Sequence, residues 1–157
     1  MSIVTFTIPG QPQGKGRARI VKIAGSSRMA TPKETLAYEG LIAHAAMVAM
    51  AGRPMLDGAI AVNVFIDCQV PASWSAKKQA RALAGEIFPT TKPDTDNVIK
   101  AVYDGCNGVL WRDDVLVVDG RQRKRYAGVP CVRVEAWELQ QPLKQQASLL
   151  DVCHENN

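Results

Sequence analysis

Lys92-Pro93-Asp94-Thr95-Asp96-Asn97-Val98-Ile99-Lys100, followed by Asp104-Gly105 and then Trp111-Arg112-Asp113-Asp114, is the stretch on which the reading of this chain turns. Five aspartates fall within 21 residues. Two carboxylates about 5 Å apart repel by roughly 3 kcal/mol at an effective dielectric near 20. A fold gains nothing from that density unless a cation sits among the acids. Hard divalent cations such as Mg²⁺ take oxygen ligands, often one or two carboxylates together with substrate phosphate. The pattern therefore points to a metal site that handles phosphates. Pro93 biases Lys92 away from helix. Asp96 is of the right type to cap a helix running from about Asn97 to a stop at Gly105. On that helix Val98, Ile99, Val102 and Cys106 lie towards one side. Asp96, Lys100 and Asp104 follow one another at i, i+4, i+8 on another, and the positive end of the helix dipole adds to the field at the acids.

The elements on either side of this helix set the fold class. Upstream, Ile3 to Ile8 alternates as a strand that Pro9-Gly10 ends. A basic loop or hairpin follows, carrying Lys15, Arg17, Arg19, Lys22 and Arg28. Thr31-Pro32-Lys33-Glu34 has the form of a capping box with proline at the first helical position. The helix it opens is expected to run to about Met50, packing Tyr38, Leu41, Ile42, Ala45, Val48 and Ala49 on a sheet. His44 has no acidic or cysteine companion and reads as a surface or packed histidine. Ile60 to Val70 is a second strand and Ser75 to Ala84 a short basic helix. Trp74, just before it, is expected in the core. Downstream, Val115 to Val118 and Val129 to Leu139 read as strands. Between them runs a basic segment, Arg121, Arg123, Lys124 and Arg125, a second place for phosphate contact close in sequence to the acids. This order of strands and helices implies a single α/β or α+β domain with a small mixed sheet packed with helices over residues 1–139. Residues 140–157 form a polar tail, with a short helix expected around Ala147 to Val152.

Totals narrow the function classes. At 157 residues with 46% hydrophobic and 22% charged side chains, the chain can bury one core. No apolar run approaches the roughly 18 residues of a membrane span, and the start lacks a signal peptide's basic head, so a cytoplasmic location is expected. Cys68, Cys106, Cys131 and Cys153 are scattered, and His44 and His154 are the only histidines, which gives no zinc cluster and favours reduced thiols. The net charge of +4 is uneven: +6 over residues 1–33, −4 over residues 34–120 and +2 beyond. An acidic centre between basic flanks suits a polyanion held against metal ions. A calcium loop of EF-hand type fails on inspection, because counting from Asp94 puts Ile99 at the sixth position and Gly105 at the twelfth.

The run Lys-Pro-Asp-x-Asp-Asn-x-x-Lys, with an Asp four residues on and then Gly-Val-x-Trp-x-Asp-Asp-x-x-Val, resembles the signature of the RusA-type Holliday junction resolvases. These are small endodeoxyribonucleases of bacteria and prophages. Gly14-Lys15-Gly16-Arg17-Ala18-Arg19 is similar to the family's basic stretch, with Ala18 where proline is often found. Thr31-Pro32, Tyr38-Glu39 and Pro71-x-Ser73-Trp74-Ser75 match further positions, so the resemblance spans roughly residues 3 to 138. It implies an α/β fold, a homodimer, branched DNA as substrate, and Mg²⁺ as cofactor with Mn²⁺ able to substitute. Asp94, Asp96 and Asp114 are the expected metal ligands. Asp113 is a further ligand or a supporting group; sequence does not separate it from Asp114, and the resemblance favours Asp114. Lys100 is expected to stabilise charge on the scissile phosphate, with Asp104 orienting it and the Asn97 amide supporting Asp94 or Asp96. Lys15, Arg17, Arg19, Arg121, Arg123, Lys124 and Arg125 are the expected DNA contacts. The function expected is Mg²⁺-dependent resolution of four-way junctions by paired nicks. A flap or other branched-DNA endonuclease and a non-catalytic junction-binding module are the alternatives.

Overall fold

A computed structural model describes residues 2–140. Its centre is a four-stranded mixed sheet built from β1 (Val4–Pro9), β4 (Ile60–Gln69), β5 (Val117–Ala127) and β6 (Cys131–Glu138), in the order β1-β6-β4-β5. Two antiparallel pairings, β1 with β6 and β6 with β4, lead to a parallel pairing of β4 with β5. The parallel pair needs a long crossover. It is made by α2 (Ala76–Leu83) and α3 (Thr95–Cys106). Between β1 and β4 come a separate hairpin, β2 (Arg19–Ile23) with β3 (Ser26–Ala30), and the long helix α1 (Lys33–Met50). This is the mixed α+β architecture expected. No described helix is long and apolar enough to cross a membrane.

Strand alternation makes one face of the sheet apolar. Val4, Phe6 and Ile8 of β1, Val62, Val64 and Ile66 of β4, and Val132, Val134 and Ala136 of β6 are all buried. They meet Tyr38, Ile42, Ala46 and Met50 of α1 and Val98, Ala101, Val102 and Cys106 of α3. Burying a side chain of this size contributes about 1.5–3 kcal/mol. Leu110 and Trp111 close the end of the core, with the Trp111 indole donating to Asn107 Oδ1 at 2.8 Å and meeting the Tyr103 ring edge-on. Burial pushes the Cys106 thiol up to about 12, so it behaves as a small hydrophobe. Cys68 and Cys131 are free thiols as well.

Several local expectations give way. On α1 the buried stripe is Thr35, Tyr38, Ile42, Ala46 and Met50, whereas Leu41 and Val48 face outward with Leu36 and Met47. The Thr31 capping box is absent. Pro32, extended at ψ 143°, is itself the cap residue, and its carbonyl accepts from Leu36 N at 3.1 Å. Gly105 does not stop α3: it is buried where α1 crosses, and an added Cβ would lie 2.8 Å from the Ile42 side chain. Strand β5 is much longer than Val115 to Val118. Val115 is exposed within a 3₁₀ turn (Asp114–Leu116), and the strand starts only at Val117 and runs on through the basic segment to Ala127. As an edge strand it is polar at most positions, which hides its period. Trp74 is half-buried, with its ring against Tyr126 at 5.4 Å and Lys78 over it at 3.8 Å. The tail from 141 onward, with its expected short helix, lies outside the described residues.

Candidate active site

Helix α3 mounts the acids. It starts at Thr95, two residues before the expected point. Asp94 is the cap residue, extended at φ −69° and ψ 136°, and its carbonyl accepts from Val98 N at 3.1 Å. Pro93 restricts only Lys92, so nothing in the chain delays the helix to Asp96. The Asp94 side chain makes no capping bond and instead accepts from the Asn97 amide at 3.4 Å, the support expected of Asn97. Asp94, Asp96 and Lys100 are all exposed. Asp96 sits in the first turn, beside the positive end of the helix dipole.

Two segments hold this end of α3. Lys15 N donates to Asn97 O at 2.9 Å, and a Cβ on Gly14 would come within 2.9 Å of the Asn97 Cβ, so the Gly14–Lys15 backbone lies flat on the first turn. From β5, Lys124 Nζ donates to Thr91 O and, at 2.7 Å, to Pro93 O. Between these segments opens a cavity of 430 Å³, with Lys15, Lys92, Asp94 and Asn97 on its walls.

Asp113 and Asp114 form a second group, against the later part of α3. Asp113 caps the 3₁₀ turn, accepting from Val115 N at 3.0 Å. Asp114 is half-buried. Its carboxyl is held above the usual range by burial first, then by its hydrogen bond with Asp113 and by the charges of Asp113 and Asp104. The Tyr103 phenol is raised in turn, by burial and then by Asp114. From Asp96 to Asp104 is about 12 Å of helix at 1.5 Å per residue. Among the described residues no three His, Cys, Asp or Glu side chains converge as a metal cage. The donors come instead as two carboxylate pairs with Lys100 on the helix between them. Mg²⁺ keeps waters and uses one or two carboxylates with substrate phosphate, so such open oxygen pairs suit it. A soft metal that prefers thiolate has no such donors here.

Asp104 does not pair with Lys100. It accepts instead from Lys15 Nζ, which also lies 3.2 Å from Glu39 of α1. Hydrogen bonding to Asp104 is the largest cause of Lys15's raised pKa, with Glu39 adding to it against the cost of burial. This bridge was illegible in sequence, since its partners are far apart along the chain. Arg17 and Arg19 are exposed at the root of the hairpin. The run on β5 divides by strand alternation. Lys124 faces α3, whereas Arg121, Arg123 and Arg125 take the opposite face of the sheet.

Comparison with known proteins fits this arrangement. A family profile described as Endodeoxyribonuclease RusA matches residues 9–136. The chain belongs to the RusA endodeoxyribonuclease family. The match takes in the acids of α3, the Asp113–Asp114 pair and both basic segments. The RusA family consists of endodeoxyribonucleases that act on Holliday junctions, so branched DNA is the substrate class and divalent-metal dependence the general rule. A relative in Bacillus subtilis (strain 168), the uncharacterized protein YqaN, is 34% identical over 143 residues, which is 88% of this chain and 99% of the relative.

Proposed function

We propose that this RusA-family chain is a Mg²⁺-dependent, structure-selective endonuclease that resolves four-way DNA junctions by paired nicks, with Mn²⁺ able to substitute. The observation that carries this reading is the exposed pair Asp94 and Asp96 at the N-terminal end of α3, with Lys100 one turn behind. Bound Mg²⁺ supplies Lewis-acid stabilisation of the phosphoryl oxygens and activates water. Asp94 and Asp96 would hold the ion, and Asp114, backed by Asp113, would supply a further carboxylate oxygen. Lys100 donates to a phosphate oxygen as negative charge grows there, and the free N–H groups of the first turn of α3 add to that field. Lys15 on the cavity wall, with the exposed Arg17 and Arg19 just after it in the chain, would hold the backbone of the bound arm.

Paired cuts need two copies of the site. The outer side of α1 supports a homodimer: Leu36, Leu41, Met47 and Val48 are exposed along it, and Gly40 has nothing within 4 Å of where a Cβ would sit. A twofold axis between Ala43 and His44 would seat Met47 of one protomer over Gly40 of its partner. The decisive test is a gel assay on a synthetic four-way junction beside linear duplex and a flap, with Mg²⁺ or EDTA. Symmetric nicks in the junction alone, abolished by EDTA, are expected. Cleavage of the flap in preference to the junction would replace resolution with a flap activity, and binding without cleavage would replace it with an architectural role.

A further inference from the structure

The helices α1 and α3 pack on one face of the sheet; on the other, the turn after α2 reaches the end of β5, where a Cβ on Gly85 would lie 3.6 Å from an Arg125 guanidinium nitrogen. Strand register orders the side chains of that open face into rows. Thr7 of β1, Arg133 of β6, Phe65 of β4 and Arg123 of β5 lie side by side across all four strands. The next row is Thr5, Glu135, Asn63 and Arg121. Phe65 is the central aromatic. The Arg133 guanidinium comes over its ring from one neighbouring strand at 4.3 Å, and that of Arg123 from the other at 5.0 Å. One strand residue pair further on, Arg125 lies 5.9 Å from the exposed Phe88 ring.

The acids of this face are already engaged. Glu135 accepts from Asn63 at 3.2 Å and lies 3.9 Å from Arg133; Asp119 lies 3.7 Å from Arg121; Asp67 accepts from Cys131 Sγ. Arg123 and Arg125 make no salt bridge among the described residues, although the register sets Asp67 beside Arg125, and both are exposed and positioned on aromatic rings. Stacking of this kind holds a guanidinium without consuming its donors, which stay available to a phosphate. The two residues stand about 6.8 Å apart along the strand, a step that suits successive phosphates of a nucleic-acid strand.

We infer that the open face of the sheet, centred on Arg123 and Arg125, is a second DNA surface that grips the phosphate backbone of an arm passing on the side opposite α3. The ligand is backbone rather than base, because the Phe65 ring is already taken by Arg123 and Arg133 and offers no free platform for stacking. The inference rests on the DNA-cleaving reading above and adds to it a contact away from the acids.

The test is the salt dependence of binding in EDTA, where no strand is cut, for linear duplex and for a four-way junction. The proteins are wild type, Arg123→Gln/Arg125→Gln and Arg123→Lys/Arg125→Lys. Each phosphate contact contributes roughly 0.9 to the slope of log K against log salt. The glutamine variant is expected to bind more weakly, with a slope lower by about 1.8, and the lysine variant to regain most of that slope. An unchanged slope in the glutamine variant overturns the inference. So does an equal loss of slope in both variants, which would mean that altered packing, not charge, is being read. Phosphate contact does not depend on branching, so the duplex arm reads this surface even if wild type shows no preference for the junction. That last result would count against junction resolution alone.

Discussion

Lys15 donates to Asp104 across 89 residues of sequence, and the same ammonium lies 3.2 Å from Glu39. The contact joins the basic N-terminal segment to both helices behind the acids. Its consequence for stability has a definite sign. The Lys15 pKa is raised above its ordinary 10.5, chiefly by the hydrogen bond to Asp104. A group raised on folding stabilises fully below its unfolded pKa and loses that contribution as pH climbs through the folded one. Lys15→Met is therefore expected to unfold at lower urea than wild type at neutral pH, with the gap closing only as pH rises past 10.5. A gap that persists unchanged into strong alkali would assign Lys15's effect to its methylene packing.

Two glycines on the helices separate packing from conformation. At Gly105 a Cβ would meet Ile42 at 2.8 Å and the Glu39 carbonyl at 3.0 Å, so α1 and α3 cross there in direct contact. Gly105→Ala is expected to destabilise by about 1–3 kcal/mol through forced separation of the helices. Gly40 has open space around it, so Gly40→Ala relieves a helix-interior glycine and stabilises the protomer by up to about 1 kcal/mol. Urea unfolding of the two variants at low protein concentration should give shifts of opposite sign.

Much of this was legible because sequence period and burial coincide. The strands β1, β4 and β6 read as strands since each sets an apolar residue at every second position against the helices. Helix α3 was legible from Asp94, Asp96, Lys100 and Asp104, even though its cap is Asp94. What stayed hidden was decided by tertiary contact. Strand β5 has one face over α3 and the other open, so its polar run showed no period. The consequence is large: Lys124 and the three arginines read as one basic run, yet they serve opposite sides of the sheet. The Lys15 bridge and the Gly105 crossing involve partners that local pattern does not connect.

The outer face of α1 gives a prediction about assembly. Met47→Glu with Val48→Glu places charge on two exposed apolar positions that are not part of the buried core. The fold should be retained, and the proposed homodimer weakened by at least about tenfold, equivalent to 1.4 kcal/mol. Sedimentation velocity across a dilution series measures it. The variant should also convert paired nicks into single, uncoordinated ones. A dimer of unchanged strength would move the twofold interface to another surface.

The acids themselves give the sharpest expectation. Asp94→Asn and Asp114→Asn each remove one charge from different carboxylate pairs, one at the start of α3 and the other in the 3₁₀ turn beyond its end. Cleavage at saturating junction should fall a hundredfold or more in each, about 2.7 kcal/mol of barrier. Binding in EDTA should hold or tighten, because one carboxylate no longer repels phosphate. A Mg²⁺ titration then discriminates further. If both groups hold metal at the cut, both variants need more Mg²⁺ to reach half-maximal rate. If only the Asp94–Asp96 pair does, Asp114→Asn lowers the plateau and leaves the midpoint in place. Unchanged cleavage in both variants would remove these aspartates from the chemistry. The acidic stretch would then serve only to start and flank α3, roles that its cap at Asp94 and the 3₁₀ turn after Asp113 already fill in the fold.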